Sequence, residues 1–239
     1  MIDEIIDEVS AFIRKRRKII KLILVFLMFM YIDYIQYIPI MLFKITSLSN
    51  SSYVILNAFK NIVSMCILFI IYRKELIKEW DLFRSKAFVH LDTGVKYWFL
   101  GLLVMMVSNI ALNIFFKSGG AENEQLVQQY ISYMPWLMFI NAGLIAPFCE
   151  EIVFRKAFRD AINKEWLFVL LSGLIFGALH VVSHLENWYD FLYIIPYSSL
   201  GLALAKMYSE TKTIFTSIIM HTLHNSILVA SSILIGFIF

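Results

Sequence analysis

Charged residues are scarce in this chain, at 16% of its 239 residues, whereas a soluble domain carries roughly 25%. Hydrophobic residues make up 60% of the sequence, and the mean hydropathy is +0.73. This composition excludes a soluble enzyme and a disordered protein. The formal net charge of +3 is also too small to indicate a nucleic-acid partner.

Cysteine is rare as well, and its two occurrences exclude several kinds of site. Cys66 and Cys149 both lie in apolar runs, so they form neither a disulfide framework nor a CxxC metal signature. Cys149 directly precedes Glu150, which leaves open a thiol nucleophile with a histidine base. The less specific interpretation is that Cys149 is a small apolar residue of a buried helix.

What the chain has in abundance is long apolar runs. A membrane-spanning helix needs about 20 largely apolar residues. Segments of this kind occur at residues 19–43, 53–72, 97–116, 133–159, 166–185, 189–208 and 213–238. The sequence therefore predicts an all-α, polytopic membrane helical bundle with about seven transmembrane helices.

Basic residues are distributed unevenly over the ends of these spans. Of the 21 Lys and Arg residues, 18 fall on one side, in the flanks 14–21, 73–96, 155–164 and 206–212. Basic flanks stay in the cytoplasm. The N-terminus is therefore predicted inside and the C-terminus outside.

The chain is expected to divide into three parts. Residues 1–18 place apolar and acidic side chains on opposite helix faces and end in a basic cluster, which predicts an interfacial helix that contacts anionic membrane lipids. Residues 19–128 supply the N-terminal transmembrane helices and loops. Residues 129–239 form the candidate catalytic core.

Ionisable side chains inside the spans indicate where chemistry should occur. Each costs about 2.5–3.5 kcal/mol on insertion scales, so it persists where it faces a protein interior or a wet cavity. Most of them lie in the second half of the chain, namely Glu150, Glu151, Arg155, His180, His184, His221 and His224. The other two, Asp33 and Lys60, could pair with each other across spans one and two, or Asp33 could line the substrate path.

The fourth span carries two adjacent carboxylates. Glu151 and Arg155 are four residues apart and can pair on one helix face, which leaves Glu150 free for another task. Pro147 lacks a backbone N–H, so we expect a kink near Gly143 and a freed carbonyl beside Glu150. The alternative interpretation is that the charged pair simply ends the span at the headgroups.

The fifth span combines small residues with histidines. Gly173 and Gly177 predict a close approach of another helix. His180 needs a partner in lipid, and Glu150 is the expected one. His184, one turn further on, is expected to be interfacial or structural.

The seventh span places His221 and Asn225 four residues apart on one face. At 1.5 Å per residue, His221 and Glu150 lie about 12 and 13 Å from the basic ends of their spans. These matching depths predict an active site that opens to the cytoplasmic half of the bilayer.

Together these residues suit hydrolysis of a peptide bond. Glu150, helped by His180, could take a proton from water. His221 and Asn225 could donate hydrogen bonds to the oxyanion that forms when the water attacks a peptide carbonyl.

Three motifs in this region resemble those of the CAAX-protease and bacteriocin-processing (CPBP, also called Abi) family. They are Glu-Glu-x-x-x-Arg at 150–155, Phe-x-x-x-His at 176–180 and His-x-x-x-Asn at 221–225, in the family's order. This family of intramembrane endopeptidases includes the type II CAAX prenyl proteases. The resemblance covers about residues 130–230 and implies that residues 129–239 are a CPBP-like catalytic core.

The resemblance also implies a role for each matching residue. Catalytic roles fall to Glu150, His180, His221 and Asn225. Supporting roles fall to Glu151, Arg155 and Phe176. The substrate would be a peptide or a lipid-modified, membrane-associated protein.

Metal dependence is open in the family, whose members have been called metalloproteases and also glutamate-dependent enzymes without metal. Zinc would take Glu150, His180 and His221 as ligands. The sequence has no His-Glu-x-x-His, and a neutral Asn225 beside His221 suits an oxyanion better than zinc. We therefore expect no metal cofactor.

The sequence also bears on the cellular location of the protein and on alternative functions. The short chain and its composition favour a bacterial cell membrane, with processing of a peptide pheromone or bacteriocin, or immunity to one. A catalytically silent scaffold or immunity protein of the same fold is the main alternative. A proton-coupled transporter is less favoured, because no repeated half is visible.

Overall fold

The computed structural model describes residues 2–45, 47–116, 122–182, 185 and 187–238. All regular elements within these ranges are helical, which confirms the all-α class. The α-helices are α1 (Ile2–Tyr31), α2 (Tyr37–Leu42), α3 (Asn50–Ser85), α4 (Ala87–Phe116), α5 (Glu122–Tyr133), α6 (Pro135–Ile140), α7 (Ala146–Glu150), α8 (Phe158–Ala161), α9 (Glu165–Leu179), α10 (Ile194–Thr211) and α11 (Ile214–Ile238).

Four tighter or wider helical turns interrupt this series. Two are 3₁₀ turns, Ile32–Gln36 and Trp188–Tyr193. Two are π-helical turns, Asn141–Ile145 and Glu151–Ala157, and they lie on either side of α7. Such wide turns are rare and often occur at functional sites.

In the described ranges, five helical stretches are long and apolar enough to cross a membrane. They are Asp7–Leu42, Asn50–Ser85, Ala87–Phe116, Pro135–Ala161 and Ile214–Gly236. The remaining two expected spans correspond to α9, which has 15 residues, and to α10. A polytopic membrane protein is confirmed, while the count of seven and the orientation of the termini stay predictions.

The first helix is longer than the sequence division suggests. α1 runs without interruption from Ile2 to Tyr31. The expected interfacial segment 1–18 and the first part of the first span therefore belong to one continuous helix.

α10 packs between α4 and α9, and glycines allow the close approach. A Cβ on Gly177 would lie 2.6 Å from the backbone nitrogen of Ser198, and one on Gly173 would lie 2.7 Å from Leu202 Cγ. The predicted small-residue contact of α9 is thereby confirmed. Because α10 is largely enclosed by its neighbours, it can carry buried polar residues such as Ser209 that a lipid-facing helix would avoid.

Ion pairs tie together the helix ends that carry most of the basic residues. We call this region the basic face; it comprises residues 14–21 in the middle of α1 and the helix ends that bear residues 73–96, 155–164 and 206–212. Lys21 contacts Glu75 at 3.3 Å, Lys156 contacts Glu79 at 3.1 Å, and Lys206 contacts Glu165 at 2.6 Å. The segregation of charge in the sequence is therefore a segregation in space.

Candidate active site

The backbone just before Glu150 is shaped by Pro147. In the π-helical turn Asn141–Ile145, the N–H of Ala146 donates to the carbonyl of Asn141. The next residue, Pro147, has no N–H to donate. The carbonyl of Ala142 is consequently freed, as the sequence predicts for this part of the helix.

Side chains of α11 bind the freed carbonyls. Asn225 Nδ2 donates to the oxygen of Ala142 at 3.0 Å, and Ser226 Oγ donates to that of Gly143 at 3.4 Å. This connection fixes α11 against the segment that carries Glu150. It uses only one of the two N–H groups of the Asn225 carboxamide.

The two adjacent carboxylates lie in different surroundings. The side chain of Glu151 is 0% exposed, and its Oε2 lies 3.2 Å from Arg155 Nε, so the expected pair is present. The side chain of Glu150 is 17% exposed and faces a cavity. The sequence expectation that the two residues diverge therefore agrees with the geometry.

Arg155 is balanced by a carboxylate and an aromatic ring. Its guanidinium carbon lies 4.5 Å from the centre of the Phe176 ring, and its side chain is 0% exposed. A guanidinium over an aromatic face gains electrostatic attraction that is strongest when water is excluded. Glu151, Arg155 and Phe176 thus form one buried unit between the cavity and the basic face.

His221 connects this buried unit to the cavity. Its Nδ1 lies 2.8 Å from Glu151 Oε1, and its Nε2 lies 3.6 Å from Glu150 Oε2. Because an ionised carboxylate only accepts hydrogen bonds, the ring donates through Nδ1 and presents Nε2 to Glu150. The contact between Glu151 and His221 was missed by sequence reasoning, which assigned Glu151 to Arg155 alone.

His180 has a different partner from the expected one. Its Nδ1 lies 2.8 Å from the carbonyl oxygen of Phe176, whereas Glu150 was the predicted partner. The carbonyl can only accept, so Nδ1 carries a proton and Nε2 of the neutral ring can accept one. The physical reason is that α9 ends at Leu179, so the ring of the next residue folds back onto the last turn, where the Phe176 carbonyl can accept a further hydrogen bond.

The ring of Phe176 contacts both histidines. Its ring centre lies 4.4 Å from that of His180 and 5.7 Å from that of His221. His180 also stacks on Tyr197 of α10, with ring centres 5.0 Å apart. The supporting position expected for Phe176 agrees with these contacts.

A cavity of about 640 Å³ collects the expected catalytic side chains, namely Glu150, His180, His221 and Asn225. Its remaining wall comes from the helix ends opposite the basic face, including Asn109 of α4, Gln128 of α5 and Ser232 of α11. The cavity therefore extends away from the basic face, while the side of the bilayer to which it opens stays a prediction. Depth along a helix locates a residue but does not show which way its cavity extends.

A cluster of carboxamides in the cavity wall was also missed. Asn61 Nδ2 donates to Asn141 Oδ1 at 2.9 Å, and Asn141 Nδ2 donates to Asn57 Oδ1 at 2.9 Å. The available signal was the spacing of Asn57 and Asn61, four residues apart in an apolar span. A search for ionisable residues alone passes over it.

Three further polar residues can now be placed. Lys60 Nζ lies 2.6 Å from Asp33 Oδ1, which confirms the expected pair, and both residues line the cavity. His224 is buried and also lines the cavity, a position that the sequence did not assign. His184 lies outside the described residues.

The side chain of Cys149 contacts α3. Its thiol donates to the backbone carbonyl of Asn61 at 3.8 Å, and the residue is buried beside the carboxamide cluster. This environment suits the interpretation of Cys149 as a small buried residue better than that of a nucleophile with a histidine base.

A zinc ion at this site would take Glu150, His180 and His221 as ligands. Within the described residues, no three His, Cys, Asp or Glu side chains are grouped as metal ligands. Hydrogen bonds at Nδ1 hold the rings of His221 and His180 and leave Nε2 of each ring for the cavity, an arrangement that metal-ligating histidines also show. A site without metal therefore stays a prediction, and the chemistry below is derived from the side chains.

Comparisons with known proteins agree with the motifs. Residues 132–227 match the family model described as type II CAAX prenyl endopeptidase Rce1-like. A Bacillus subtilis (strain 168) protein named "Putative membrane peptidase YdiL" is 31% identical over 112 residues, which are 46% of this chain and 42% of that protein. The chain therefore matches less than half of the length of YdiL.

Two proteins of Lactococcus lactis subsp. lactis (strain IL1403) match over longer stretches. UPF0177 protein YbdI is 27% identical over 58% of this chain and 77% of its own length. UPF0177 protein YxdF is 25% identical over 63% of this chain and 78% of its own length. No solved structure matches the chain significantly.

The matched region contains all three motifs, and with them the expected catalytic residues Glu150, His180, His221 and Asn225. The resemblance drawn from those motifs is confirmed: residues 132–227 match the Rce1-like family model, and the chain is similar to a putative membrane peptidase.

Proposed function

We propose that this chain is an intramembrane endopeptidase in which Glu150 activates water for attack on a peptide bond. The observation that carries the proposal is the division of labour between the two adjacent glutamates. Glu151 holds His221 from the buried side at 2.8 Å, and Glu150 faces the same histidine from the cavity at 3.6 Å. One carboxylate is thus available to water while the other orients a ring.

In the proposed reaction, a water molecule in the cavity attacks the carbonyl carbon of the substrate. Glu150 accepts the proton that the water loses, which is the usual task of a general base. His180 lines the same cavity and can hold that water through Nε2, because its Nδ1 is occupied by the Phe176 carbonyl. The carbon–nitrogen bond then breaks as Glu150 returns the proton to the leaving amine.

The negative charge on the carbonyl oxygen is stabilised by α11. His221, when doubly protonated, donates through Nδ1 to Glu151 and through Nε2 to the oxyanion. Asn225 donates its second N–H, since the first is bonded to Ala142. Donors that are already held in place need no rearrangement during the reaction, and this makes them effective.

The substrate class rests on the similarity of the chain to other proteins. The matching family description names prenyl endopeptidases, and the name of YdiL describes a membrane peptidase. We propose a peptide or a membrane-anchored protein as substrate, in a bacterial cell membrane, because the matched relatives are bacterial. Processing of a peptide pheromone or bacteriocin fits this class, with no metal cofactor.

The experiment is a comparative peptidome of membranes and medium from cells that express wild type, Glu150→Gln or Glu210→Gln at equal levels. Glu210 is exposed and pairs with Lys206 on the basic face, so it controls for loss of one carboxylate. A peptide made by wild type and Glu210→Gln but not by Glu150→Gln supports the proposal. In the purified protein, its formation should survive metal chelation.

The alternative of a silent scaffold or immunity protein makes the opposite prediction. Glu150→Gln would then preserve the phenotype that is lost on deletion, and no peptide would depend on Glu150. That result would overturn the protease proposal.

A further inference from the structure

The cavity is closed on the side of the basic face. Directly after Glu150, the chain continues through residues that are almost fully buried, namely Glu151, Ile152, Val153, Phe154 and Arg155. Closer to the basic face, Glu79 connects α3 to the π-helical turn Glu151–Ala157 and to α11. Its carboxylate contacts Lys156 at 3.1 Å and accepts the backbone N–H of Ile214 at 2.7 Å. A substrate or water molecule cannot reach Glu150 through this packed layer.

Polar side chains line the cavity in the opposite direction. Starting from Glu150, the wall passes the carboxamide cluster of Asn57, Asn61 and Asn141 and then the pair of Lys60 and Asp33. From His221 to Ser232 along α11, the cavity wall is about 16 Å long at 1.5 Å per residue. Asp33, Glu124 and Gln128 at the far end are exposed. A wall of this kind can be wetted, which a hydrolytic site inside a membrane requires.

The charge distribution indicates on which side of the membrane the cavity opens. The closed end of the cavity is the end that carries 18 of the 21 Lys and Arg residues. Because loops rich in Lys and Arg stay in the cytoplasm, the open end faces the other way.

We infer that the site is reached from the extracytoplasmic side, so its substrate is a peptide segment presented at the outer surface of the membrane. That the bound peptide is a substrate rests on the proposed function. The direction from which the cavity is reached does not depend on that proposal. It disfavours lipid-modified tails that are anchored in the cytoplasmic leaflet. Water for the hydrolysis enters by the same route as the peptide.

The test uses single cysteines in a full-length Cys66→Ser, Cys149→Ser background in intact cells. Glu124→Cys places a thiol at the open end, and Lys86→Cys places one on the basic face, where Lys86 is exposed between α3 and α4. A membrane-impermeant maleimide should label Glu124→Cys in intact cells, and Lys86→Cys only after permeabilisation. The reverse pattern would overturn the inference.

A second readout tests access rather than sidedness. Ser232→Cys lies in the cavity wall, and its modification in intact cells by a bulky impermeant reagent should reduce formation of the Glu150-dependent peptide at least tenfold. The same reagent on Lys86→Cys should leave peptide formation unchanged. Full activity of modified Ser232→Cys would overturn this route. If no peptide depends on Glu150, the proposed function fails while the labelling result still decides the side of the opening.

Discussion

The two ends of the helical bundle contain different kinds of side chains. At the basic face, buried apolar residues alternate with ion pairs that connect separate helices, such as Lys156 with Glu79 and Lys206 with Glu165. At the opposite end, carboxamides and an exposed acidic side chain surround an open cavity. Glu151 and Glu150 stand at the boundary, one on each side. The difference indicates that one end maintains the fold and that the other gives access to the candidate active site.

The largest effect should follow from breaking the buried pair at this boundary. Arg155→Met leaves Glu151 with an uncompensated charge, and loss of one partner of a buried pair costs about 3–5 kcal/mol. Lys96→Met is the control, because Lys96 forms an exposed pair with Asp92, and such pairs contribute about 0–1 kcal/mol. Thermal unfolding in detergent should separate the two variants. Equal unfolding temperatures would show that the buried unit does not hold the fold together.

The next effect concerns catalysis and separates positioning from chemistry on α11. Asn225 and Ser226 both bind carbonyls of the π-helical turn, but only Asn225 is among the residues that line the cavity. Removing a donor to an oxyanion costs about 10²–10³ in kcat. Asn225→Ala should therefore lose this much activity at an unchanged KM, whereas Ser226→Ala should not. Similar losses in both variants would assign Asn225 a purely structural role.

A smaller effect is expected where α9 meets α10. Gly177→Ala forces a methyl group against the backbone of Ser198, and overpacking of this kind costs about 1–3 kcal/mol. Gly236→Ala is a matched control, since a Cβ there has no neighbour within 4 Å among the described residues. Unfolding temperatures of the two variants in the same detergent give the comparison. A stable Gly177→Ala protein would mean that the two helices separate readily.

The last comparison takes one carboxylate from each end, and its second variant has the smallest expected effect. Glu79→Gln weakens its contacts to Lys156 and Tyr208, and hydrogen bonds that involve a charged group contribute about 1.5–3 kcal/mol each. Asp33→Asn should cost less than about 1 kcal/mol, because the Asp33 side chain is 60% exposed and such pairs are screened by water. If Asp33→Asn were the less stable variant, the contrast between the two ends would be reversed.

The features that the sequence predicts correctly depend on the spacing of residues within one helix or on the free-energy cost of an unpaired charge inside the membrane. The pairing of Glu151 with Arg155 follows from a separation of four residues. The pairing of Asp33 with Lys60 follows from the cost of leaving either charge alone in a span. The close contact at Gly177 follows from the absence of a side chain.

The features that the sequence does not reveal depend on how helices rotate against one another. The hydrogen bond from His221 to Glu151 joins residues 70 positions apart, and no periodicity encodes it. His180 was assigned to Glu150 because the end of α9 at Leu179, where the ring folds back onto the Phe176 carbonyl, is not visible in an apolar run. The direction of the cavity depends on uncharged side chains such as Asn141, which hydropathy does not single out.

The most direct test of the central claim compares the two neighbouring glutamates in purified protein. For Glu150→Gln and Glu151→Gln, the cleavage rate of the Glu150-dependent peptide and the unfolding temperature are measured together. The account predicts that Glu150→Gln unfolds like wild type but cleaves about 10²–10⁴ times more slowly, the usual contribution of a general base. Glu151→Gln should unfold at a clearly lower temperature. Cleavage by Glu150→Gln at the wild-type rate would contradict the account.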